Sequence, residues 1–324
     1  MKKKALITGI SGQDGAYLSE YLLENDYDVY GILRRNSIPE NQTVRLENSV
    51  YAEIKNNLFY ADLTDFSSLI RIIKKIKPVE IYNLAAQSHV KVSFDVPLNT
   101  TASIVNGTIN LLEAIRMEDR NIKFYQASSS EMFGNSIDDD GFQRETTPMK
   151  PVSPYGAAKL CAFHNVQVYR KSYNIFACNG ILFNHESPLR GTSFVTNKIA
   201  KGAVLIKKGL AKNLVLGNLS ASRDWGHAKD YTRAMQLILQ NEIPDDFVCS
   251  TGETHTVQEF CDYVFKKLNI DQSLIITDQK YMRPYELEIL KGDSTKLRTL
   301  TGWKPEYSFE SMIDEMIDYW EKKL

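Results

Sequence analysis

The stretch that decides the fold is Lys4-Ala-Leu-Ile-Thr8-Gly9-Ile-Ser-Gly12-Gln-Asp-Gly15. Lys4 to Thr8 has the composition of a short buried strand, and helical spacing then continues to about Asn25. Glycines three residues apart between a strand and a helix let the backbone approach a pyrophosphate and direct amide groups toward it. An isolated match would indicate a plain glycine turn, but here another strand follows at βαβ spacing. We predict a dinucleotide-binding loop made of Gly9, Ile10, Ser11, Gly12, Gln13, Asp14 and Gly15.

The rest of the chain continues this alternation of strands and helices. Apolar segments predict strands at Asp28 to Leu33, Leu58 to Ala61, Val79 to Leu84, Ile122 to Ala127 and Ile175 to Leu182. Helical spacing covers Pro97 to Met117 and residues 153–173. We expect an α/β fold of Rossmann type, a doubly wound parallel sheet of six or seven strands, with a smaller C-terminal α/β substrate domain. The cofactor domain is expected at 1–183, with returning segments at about 224–255, and the substrate domain at 184–324.

Composition limits the partners. The chain has 324 residues, 43% hydrophobic and 24% charged, with a net charge of −1. This charge gives no basic field for nucleic acid, and no apolar run approaches the length of a membrane span. The N-terminal Met-Lys-Lys-Lys leads straight into a strand, so we predict a cytoplasmic protein with no membrane association. The cysteines show no C-x-x-C spacing and predict buried free thiols and no metal site; they are Cys161, Cys178, Cys249 and Cys261.

The end of the second strand indicates which cofactor is bound. It carries Arg34-Arg35-Asn36-Ser37 and no acid. A carboxylate at this place suits the ribose 2′-hydroxyl of NAD, whereas arginine suits the 2′-phosphate of NADP. We predict NADP, with a solvated basic turn as the alternative. Further cofactor contacts are expected where the third and fourth strands end, at Asp62, Leu63, Leu84, Ala85, Ala86 and Ser88.

A tyrosine and a lysine follow a serine-rich strand end. Ser128-Ser-Ser-Glu131 comes after the strand at 122–127, and Ser153-Pro-Tyr155-Gly-Ala-Ala-Lys159 opens a helix. An ammonium about 4 Å from a phenol at an effective dielectric of about 20 favours the phenolate by roughly 4 kcal/mol, which lowers its pKa from about 10 by about 3. Such a phenolate removes protons from alcohols near neutral pH. The same spacing in other tyrosine–lysine pairs is read as solvated helix faces: Tyr51/Lys55, Tyr263/Lys267 and Tyr319/Lys323.

Polar loops beyond Leu182 predict a second pocket. They run from Asn184 to Lys198, from Leu216 to Gly226 and from Tyr281 to Glu286. Lys198, Arg223 and Arg283, in loops rather than on helix faces, suit a phosphate-bearing ligand. Any one of these residues taken alone is better explained as a surface charge, but the three together favour the pocket.

With these residues in view, the chain resembles the GDP-mannose 4,6-dehydratases, which are extended short-chain dehydrogenases/reductases. The resemblance covers nearly the whole length. It rests on Ala5-Leu-Ile-Thr-Gly-Ile-Ser-Gly-Gln-Asp-Gly15, Tyr82-Asn-Leu-Ala-Ala-Gln-Ser-His89, Tyr125-Gln-Ala-Ser-Ser-Ser-Glu131, Asn179-Gly-Ile-Leu-Phe-Asn-His-Glu-Ser-Pro188, Arg223-Asp-Trp-Gly-His-Ala-Lys-Asp230 and Gly302-Trp-Lys-Pro305.

The resemblance implies an NADP-dependent dehydration of a GDP-hexose. Tyr155, helped by Lys159, would deprotonate the C4 hydroxyl, and Ser129 would bind the C4 oxygen. Glu131 would remove the C5 proton as the C6 hydroxyl leaves as water, before hydride returns to C6. Glu131 is otherwise read as a helix-start carboxylate.

The resemblance also implies further contacts and an assembly. Beside the residues named above, His185 and Arg190 are expected to bind the cofactor, as are Tyr155 and Lys159. The GDP-sugar is expected to contact Ser88, Asn184, Val195, Lys198, Arg223, Arg283 and Glu286. The family implies a homodimer or homotetramer, in which the arginine loop sometimes reaches a neighbour's cofactor.

Several residues differ from the commonest family pattern and leave alternatives open. Ser129 replaces threonine, Asn99 stands where many members have tyrosine, and Thr192-Ser193 and Asn197 replace residues that are often glutamate and arginine. The last group was expected beside the sugar, so a GDP-heptose or GDP-N-acetylglucosamine stays open beside GDP-mannose. An epimerase or reductase on the same fold, or a non-catalytic NADP-binding regulator, is a further alternative.

Overall fold

The structure, a computed structural model, describes residues 2–35, 42–47, 50–282 and 285–324. Its strands are β1 (Lys3–Thr8), β2 (Tyr27–Leu33), β3 (Leu58–Tyr60), β4 (Glu80–Asn83), β5 (Lys123–Ser129), β6 (Ala177–Leu182), β7 (Asn184–Glu186), β8 (Leu214–Leu216), β9 (Ser222–Arg223), β10 (Trp225–His227), β11 (Asp246–Cys249), β12 (His255–Thr256), β13 (Ile275–Thr277) and β14 (Ile289–Leu290).

The helices alternate with these strands. They are α1 (Gln13–Glu24), α2 (Val44–Glu47), α3 (Tyr51–Ile54), α4 (Phe66–Ile76), α5 (Val90–Asp95), α6 (Pro97–Thr101), α7 (Gly107–Glu118), α8 (Pro154–Tyr173), α9 (Val195–Lys207), α10 (Ala228–Gln240), α11 (Val257–Leu268), α12 (Thr295–Thr301) and α13 (Phe309–Lys323). The single helix predicted from Pro97 to Met117 is α6 and α7, joined by the π-helical segment Ala102–Asn106.

A seven-stranded parallel sheet organises the chain. Its order is β11-β6-β5-β4-β1-β2-β3, and every neighbouring pair is parallel. This confirms the doubly wound α/β fold. The strand order reverses between β1 and β4, which is where sheets of this kind open a crevice for a ligand. The carboxyl ends of β1, β4 and β5 therefore meet at one site.

The remaining segments build a smaller layer beside the sheet. Helices α9, α11 and α13 pack around a separate apolar cluster that contains the buried residues Val204, Phe260, Phe265, Met316 and Trp320. Strand β11 belongs to the large sheet although it lies late in the sequence. The proposed division at residues 183 and 184 stays a prediction.

The described cysteines are all free. Cys178, Cys249 and Cys261 are buried, as predicted, whereas Cys161 is exposed on α8. Across residues 2–35, 42–47, 50–282 and 285–324, we find no helix with the length and apolar character that a membrane crossing requires.

Candidate active site

The glycine loop after β1 brings two stretches of backbone unusually close together. Gly9 has a φ of +69°, and a Cβ there would lie 2.9 Å from the Cα of Ala85. A Cβ on Gly15 would lie 2.5 Å from the carbonyl oxygen of Gly9. Gly12 caps α1 without a side-chain acceptor for its first amide groups. The loop therefore leaves amide groups and the positive end of a helix for a pyrophosphate, and it fits the dinucleotide that the sequence predicts.

A buried ion pair ties this loop to the segment after β6. The Nε2 atom of His185 lies 3.0 Å from Asp14 Oδ2, and its Nδ1 atom lies 2.7 Å from the carbonyl oxygen of Phe183. Burial alone would raise the pKa of Asp14, but the charge and hydrogen bond of His185 lower it to about 2. Burial likewise opposes the charged form of His185, yet Asp14 raises its pKa. Both ring nitrogens face acceptors, an arrangement that favours the imidazolium form, and these contacts hold α1 to residues 183–185.

Hydrogen bonds from the next residue strengthen this connection. The side chain of Gln13 donates to the carbonyl oxygen of His185 over 3.1 Å and accepts from Ser187 Oγ over 2.7 Å. Arg190 continues the segment: its Nε atom lies 3.1 Å from Glu186, and its guanidinium carbon lies 3.7 Å from the ring centre of Phe194. Gln13, Asp14, His185 and Arg190, all predicted cofactor residues, thus lie in one connected region.

The residues predicted to bind the adenosine part of the cofactor lie at the ends of β2 and β3. Arg34 and Arg35 are exposed, and the guanidinium of Arg35 lies 5.9 Å from the ring centre of Tyr60. The Asp62 carboxylate accepts from the backbone and hydroxyl of Thr64, and Leu63 is buried against Gly107. Asn36 and Ser37 lie outside the described residues.

The end of β4 lies between the glycine loop and α8, the helix that carries Tyr155. The backbone N–H groups of Leu84 and Ala85 donate to Thr8 Oγ1 over 3.2 and 3.1 Å. Ala86 packs against the apolar cluster that includes Tyr155. Ser88 lies two residues before α5 and is part of the same loop. Close packing by small residues keeps this backbone beside the glycine loop.

Four side chains meet where β5 ends and α8 begins. Ser129 is the last residue of β5, and Glu131 lies in the 3₁₀ turn that follows. Ser153 caps α8 through the Gly156 amide, which confirms the predicted helix start. The strand ends two residues later than predicted, so Ser128 and Ser129 belong to it rather than to the loop.

The predicted catalytic residues are nearly buried. Ser129, Glu131 and Tyr155 are each 8% exposed, and Lys159 is 4% exposed. A hydrogen bond between Ser129 and Tyr155 lowers the tyrosine pKa, whereas the nearby charge of Glu131 raises it. The structure thus brings the four residues together in a site with little water.

The prediction that Lys159 lowers the pKa of Tyr155 is wrong for the protein without bound ligands. Burial, the largest effect, raises the pKa of Tyr155 to about 12. Burial also lowers the pKa of Lys159 to about 8. The ammonium of Lys159 donates to the carbonyl oxygen of Ala127 over 2.6 Å and lies 5.7 Å from the Tyr155 ring centre. Removal of water, which the calculation from the sequence did not include, therefore dominates the pKa of Tyr155, and the ammonium of Lys159 is directed to a backbone oxygen.

The residues predicted to bind the GDP-sugar lie on β7, α9 and β9 and in the segment before β14. Arg223 is buried and bonds to Glu286 over 2.8 Å and to the carbonyl oxygen of Leu287 over 3.0 Å. Asn184 begins β7 and Val195 begins α9, both partly buried. Lys198 was predicted to lie in a loop, but it lies one turn into α9. Its ammonium is 3.6 Å from the ring centre of Tyr281. Arg283 lies outside the described residues.

The structure shows where two residues that differ from the family pattern, Asn197 and Asn99, are located. Asn197 was expected beside the sugar, but its side chain is fully buried, accepts from Trp320 Nε1 over 2.6 Å and donates to the carbonyl oxygen of Arg190. Its helical position turns it inward, toward α13, so it supports a predicted cofactor residue. Asn99 is exposed on α6.

Asp224 is a structural residue of the site that the sequence reasoning did not single out. Its fully buried carboxylate accepts from the amides of Thr251 and Gly252, both over 2.8 Å. Burial raises its pKa to about 6 despite these bonds. The signal available in the sequence was an acid directly after Arg223 in this polar loop. Asp224 fixes the backbone that carries Arg223.

A Rossmann sheet with a glycine loop, a buried tyrosine and lysine, and an acid beside them defines an extended short-chain dehydrogenase/reductase. A family model described as GDP-mannose 4,6 dehydratase matches residues 6–316. GDP-mannose 4,6 dehydratase 2 of Arabidopsis thaliana is 51% identical over 98% of this chain and 86% of its own length. GDP-mannose 4,6 dehydratase of Homo sapiens is 47% identical over 97% and 90%. The chain belongs to the GDP-mannose 4,6-dehydratase family.

Solved structures agree on the fold. The Thermus thermophilus UDP-glucose 4-epimerase in complex with NAD has a TM-score of 0.85 and 25% identity, covering 99% of this chain and 100% of its own. A dTDP-glucose 4,6-dehydratase of Bacillus anthracis in complex with NAD has a TM-score of 0.83 at 22% identity, covering 99% and 97%. Both structures share the Rossmann-type α/β fold of this chain over nearly its whole length.

We predict a pH dependence of stability that arises from Lys159. Its folded pKa of about 8 lies below the ordinary 10.5, so the folded state releases the proton first. Below about pH 8 both states hold the proton and the burial cost is complete, and between about 8 and 10.5 stability rises with pH by at most about 1.4 kcal/mol per pH unit. Urea unfolding of wild type and Lys159→Met is the measurement, and the difference between them should rise over that window. A flat difference would contradict the assignment.

Proposed function

We propose that this chain catalyses the NADP-dependent 4,6-dehydration of GDP-mannose to GDP-4-keto-6-deoxymannose. Membership of the family supports the reaction and the GDP-sugar class. The single observation that carries the proposal is the meeting of Ser129, Glu131, Tyr155 and Lys159 beside the glycine loop, because this reaction needs both a C4 base and a C5 base.

The first role belongs to Tyr155. The glycine loop after β1 would hold the nicotinamide cofactor, which would supply a hydride acceptor for C4 and a hydride donor for C6, so the reaction would involve no net oxidation. With a pKa of about 12, Tyr155 is protonated at neutral pH, so it needs a stabilising charge to take the C4 proton as a phenolate. The ammonium of Lys159 supplies that charge, and Ser129 hydrogen-bonds the C4 oxygen.

The second role belongs to Glu131. The 4-ketone acidifies the neighbouring C5–H bond, and the Glu131 carboxylate takes this proton. The C5–H electron pair forms the C5–C6 double bond, and the C6 hydroxyl departs as water with the proton that Glu131 took from C5. When hydride returns to C6, C5 takes up the proton that Tyr155 removed from the C4 hydroxyl. Glu131 is only 8% exposed and lies in the turn directly after Ser129, which places its carboxylate beside the other three residues of the site.

The proposal is tested with purified protein, NADP and GDP-mannose, without added reductant. Mass spectrometry should show loss of one water from the sugar. Glu131→Gln should lower the dehydration rate by at least about 100-fold, because an amide cannot take the C5 proton. Asp139→Asn, a change at an exposed acid of the same loop region, is the control.

The outcome also separates the alternatives. Turnover retained in Glu131→Gln would favour an epimerase or reductase, which does not use that carboxylate. Loss of water from a GDP-heptose or GDP-N-acetylglucosamine, but not from GDP-mannose, would reassign the substrate. Tight NADP binding with no turnover of any nucleotide sugar would favour a regulator.

The choice of NADP over NAD rests on Arg34 and Arg35. Both are exposed at the end of β2, where a 2′-phosphate would accept charge-assisted bonds. We expect the double variant Arg34→Ala/Arg35→Ala to weaken NADPH binding by about 10- to 100-fold and NADH binding by less than about 3-fold. Fluorescence titration measures both, with Arg120→Ala as the control. Tighter binding of NADH than NADPH by wild type would contradict the assignment.

We further propose that the protein is a homodimer or homotetramer. Large apolar side chains are exposed on neighbouring helices: Leu98 on α6 is 85% exposed, Met117 on α7 is 58% and Val168 on α8 is 52%. Helix α8 packs beside both α6 and α7, so these side chains offer one surface for self-association. The cytoplasmic location predicted from the N-terminal sequence stays a prediction.

Sedimentation velocity tests the assembly. Leu98→Asp/Val168→Asp should convert the oligomer to a smaller species, because charges would be buried in the contact. Ile243→Asp, at a side chain that is 74% exposed elsewhere, should leave the mass unchanged. A monomeric wild type would contradict the proposal.

A further inference from the structure

Three lysines lie close to Tyr281. Two of them have their ammonium groups beside its ring, and the third contacts the backbone next to it. The ammonium of Lys198 lies 3.6 Å from the ring centre of Tyr281, and that of Lys280 lies 5.0 Å from it. The ammonium of Lys91 donates to the carbonyl oxygen of Lys280. We call Lys91, Lys198 and Lys280 the lysine cluster. Lys91 and Lys280 have no assigned role in the reaction.

The turn that carries Tyr281 is held in place by backbone contacts. Residues 278–282 follow β13, which pairs with β8, and the Asp278 amide donates to the carbonyl oxygen of Leu216 over 2.9 Å. A Cβ on Gly217 would lie 2.8 Å from the carbonyl oxygen of Tyr281. The turn therefore rests directly on the polar loop that begins at Leu216.

The lysine cluster also lies next to the catalytic residues. Lys91 is three residues after Ser88, in the first turn of α5. Ser93 of the same helix accepts from the backbone amide of Tyr155 over 3.2 Å. Lys198 is in the first turn of α9, three residues after Val195. The cluster thus bridges the catalytic helix and the predicted sugar-binding segment.

The charges of the cluster are not balanced by the acids recorded there. Asp278 lies 3.0 Å from Lys280, so in the part of the chain that the structure describes three ammonium groups face one carboxylate. Burial lowers the pKa of Lys198, and the positive charges of Lys280 and Lys91 lower it further. The excess of two positive charges suits a diphosphate, which has a negative charge on each phosphoryl group.

We propose that Lys91 and Lys280 act with Lys198 to bind the diphosphate of the nucleotide sugar, with Lys91 also holding the 278–282 turn beside the sugar. This inference rests on the proposed function for the identity of the ligand. Without the ligand, the like charges repel each other, and an anion between them removes that repulsion. The cluster thereby gives the site a preference for diphosphates over monophosphates.

The test compares Lys91→Met with Lys212→Met, which removes an exposed lysine elsewhere. For Lys91→Met we expect the KM for GDP-mannose to rise about 10-fold while kcat changes by less than about 2-fold, because the charge contacts the diphosphate and not the reacting carbons. Calorimetry should show a similar loss of GDP affinity and a loss of less than about 3-fold for GMP. Added salt should narrow the difference between wild type and variant. Lys91→Arg should restore most of the affinity.

A second variant tests the position of the turn without changing any charge. Gly217→Ala should displace the Tyr281 backbone and raise the KM for GDP-mannose, with a smaller salt dependence than Lys91→Met. Thermal unfolding of each variant shows whether it is folded before the affinities are compared.

The two proposals fail in different ways. If wild type does not dehydrate GDP-mannose, the proposed function fails, and calorimetry with GDP, UDP and inorganic pyrophosphate still tests the cluster. Equal affinities of wild type and Lys91→Met for all three ligands would overturn the cluster proposal, as would a wild type that binds none of them.

Discussion

The close approach of α8 to the end of β5 is the constraint on which the active site depends. A Cβ on Gly156 would lie 2.7 Å from the carbonyl oxygen of Glu131, so no larger residue fits between the helix and the turn. This contact places Tyr155 beside Ser129, and Lys159 one turn later beneath the strand. Proton transfer requires such short separations, and the backbone packing sets them before any substrate binds.

Burial changes the electrostatics of the same site. Water is removed from Tyr155 and Lys159, which raises the tyrosine pKa and lowers the lysine pKa. At neutral pH Tyr155 therefore keeps the proton that it must lose to act as a base, whereas Lys159 is still mainly the ammonium that the reaction needs. Asp14 and His185 show the opposite result, because two opposite charges in direct contact overcome the cost of burial.

Connections between distant segments join the two binding regions. The side chain of Gln13 links the cofactor loop to residues 185–187, and Asn197 links Arg190 to Trp320 on the C-terminal helix. Asp224 fixes the loop of Arg223 by bonds to the backbone after β11. The smaller layer is therefore held to the Rossmann sheet by buried polar contacts as well as by its own apolar cluster.

The sequence by itself determined the parallel sheet, the glycine loop and the start of α8 at Ser153, and it predicted the four residues that the structure brings together at the end of β5. Strand periodicity, glycine spacing and helix caps are local patterns, so they are readable within a few residues. Only the tertiary structure decided the pKa directions of Tyr155 and Lys159, the inward position of Asn197 and the meeting of Lys91 with Lys280. Those properties depend on burial and on contacts between segments far apart in the chain, 189 residues apart for Lys91 and Lys280, and local patterns contain no record of either.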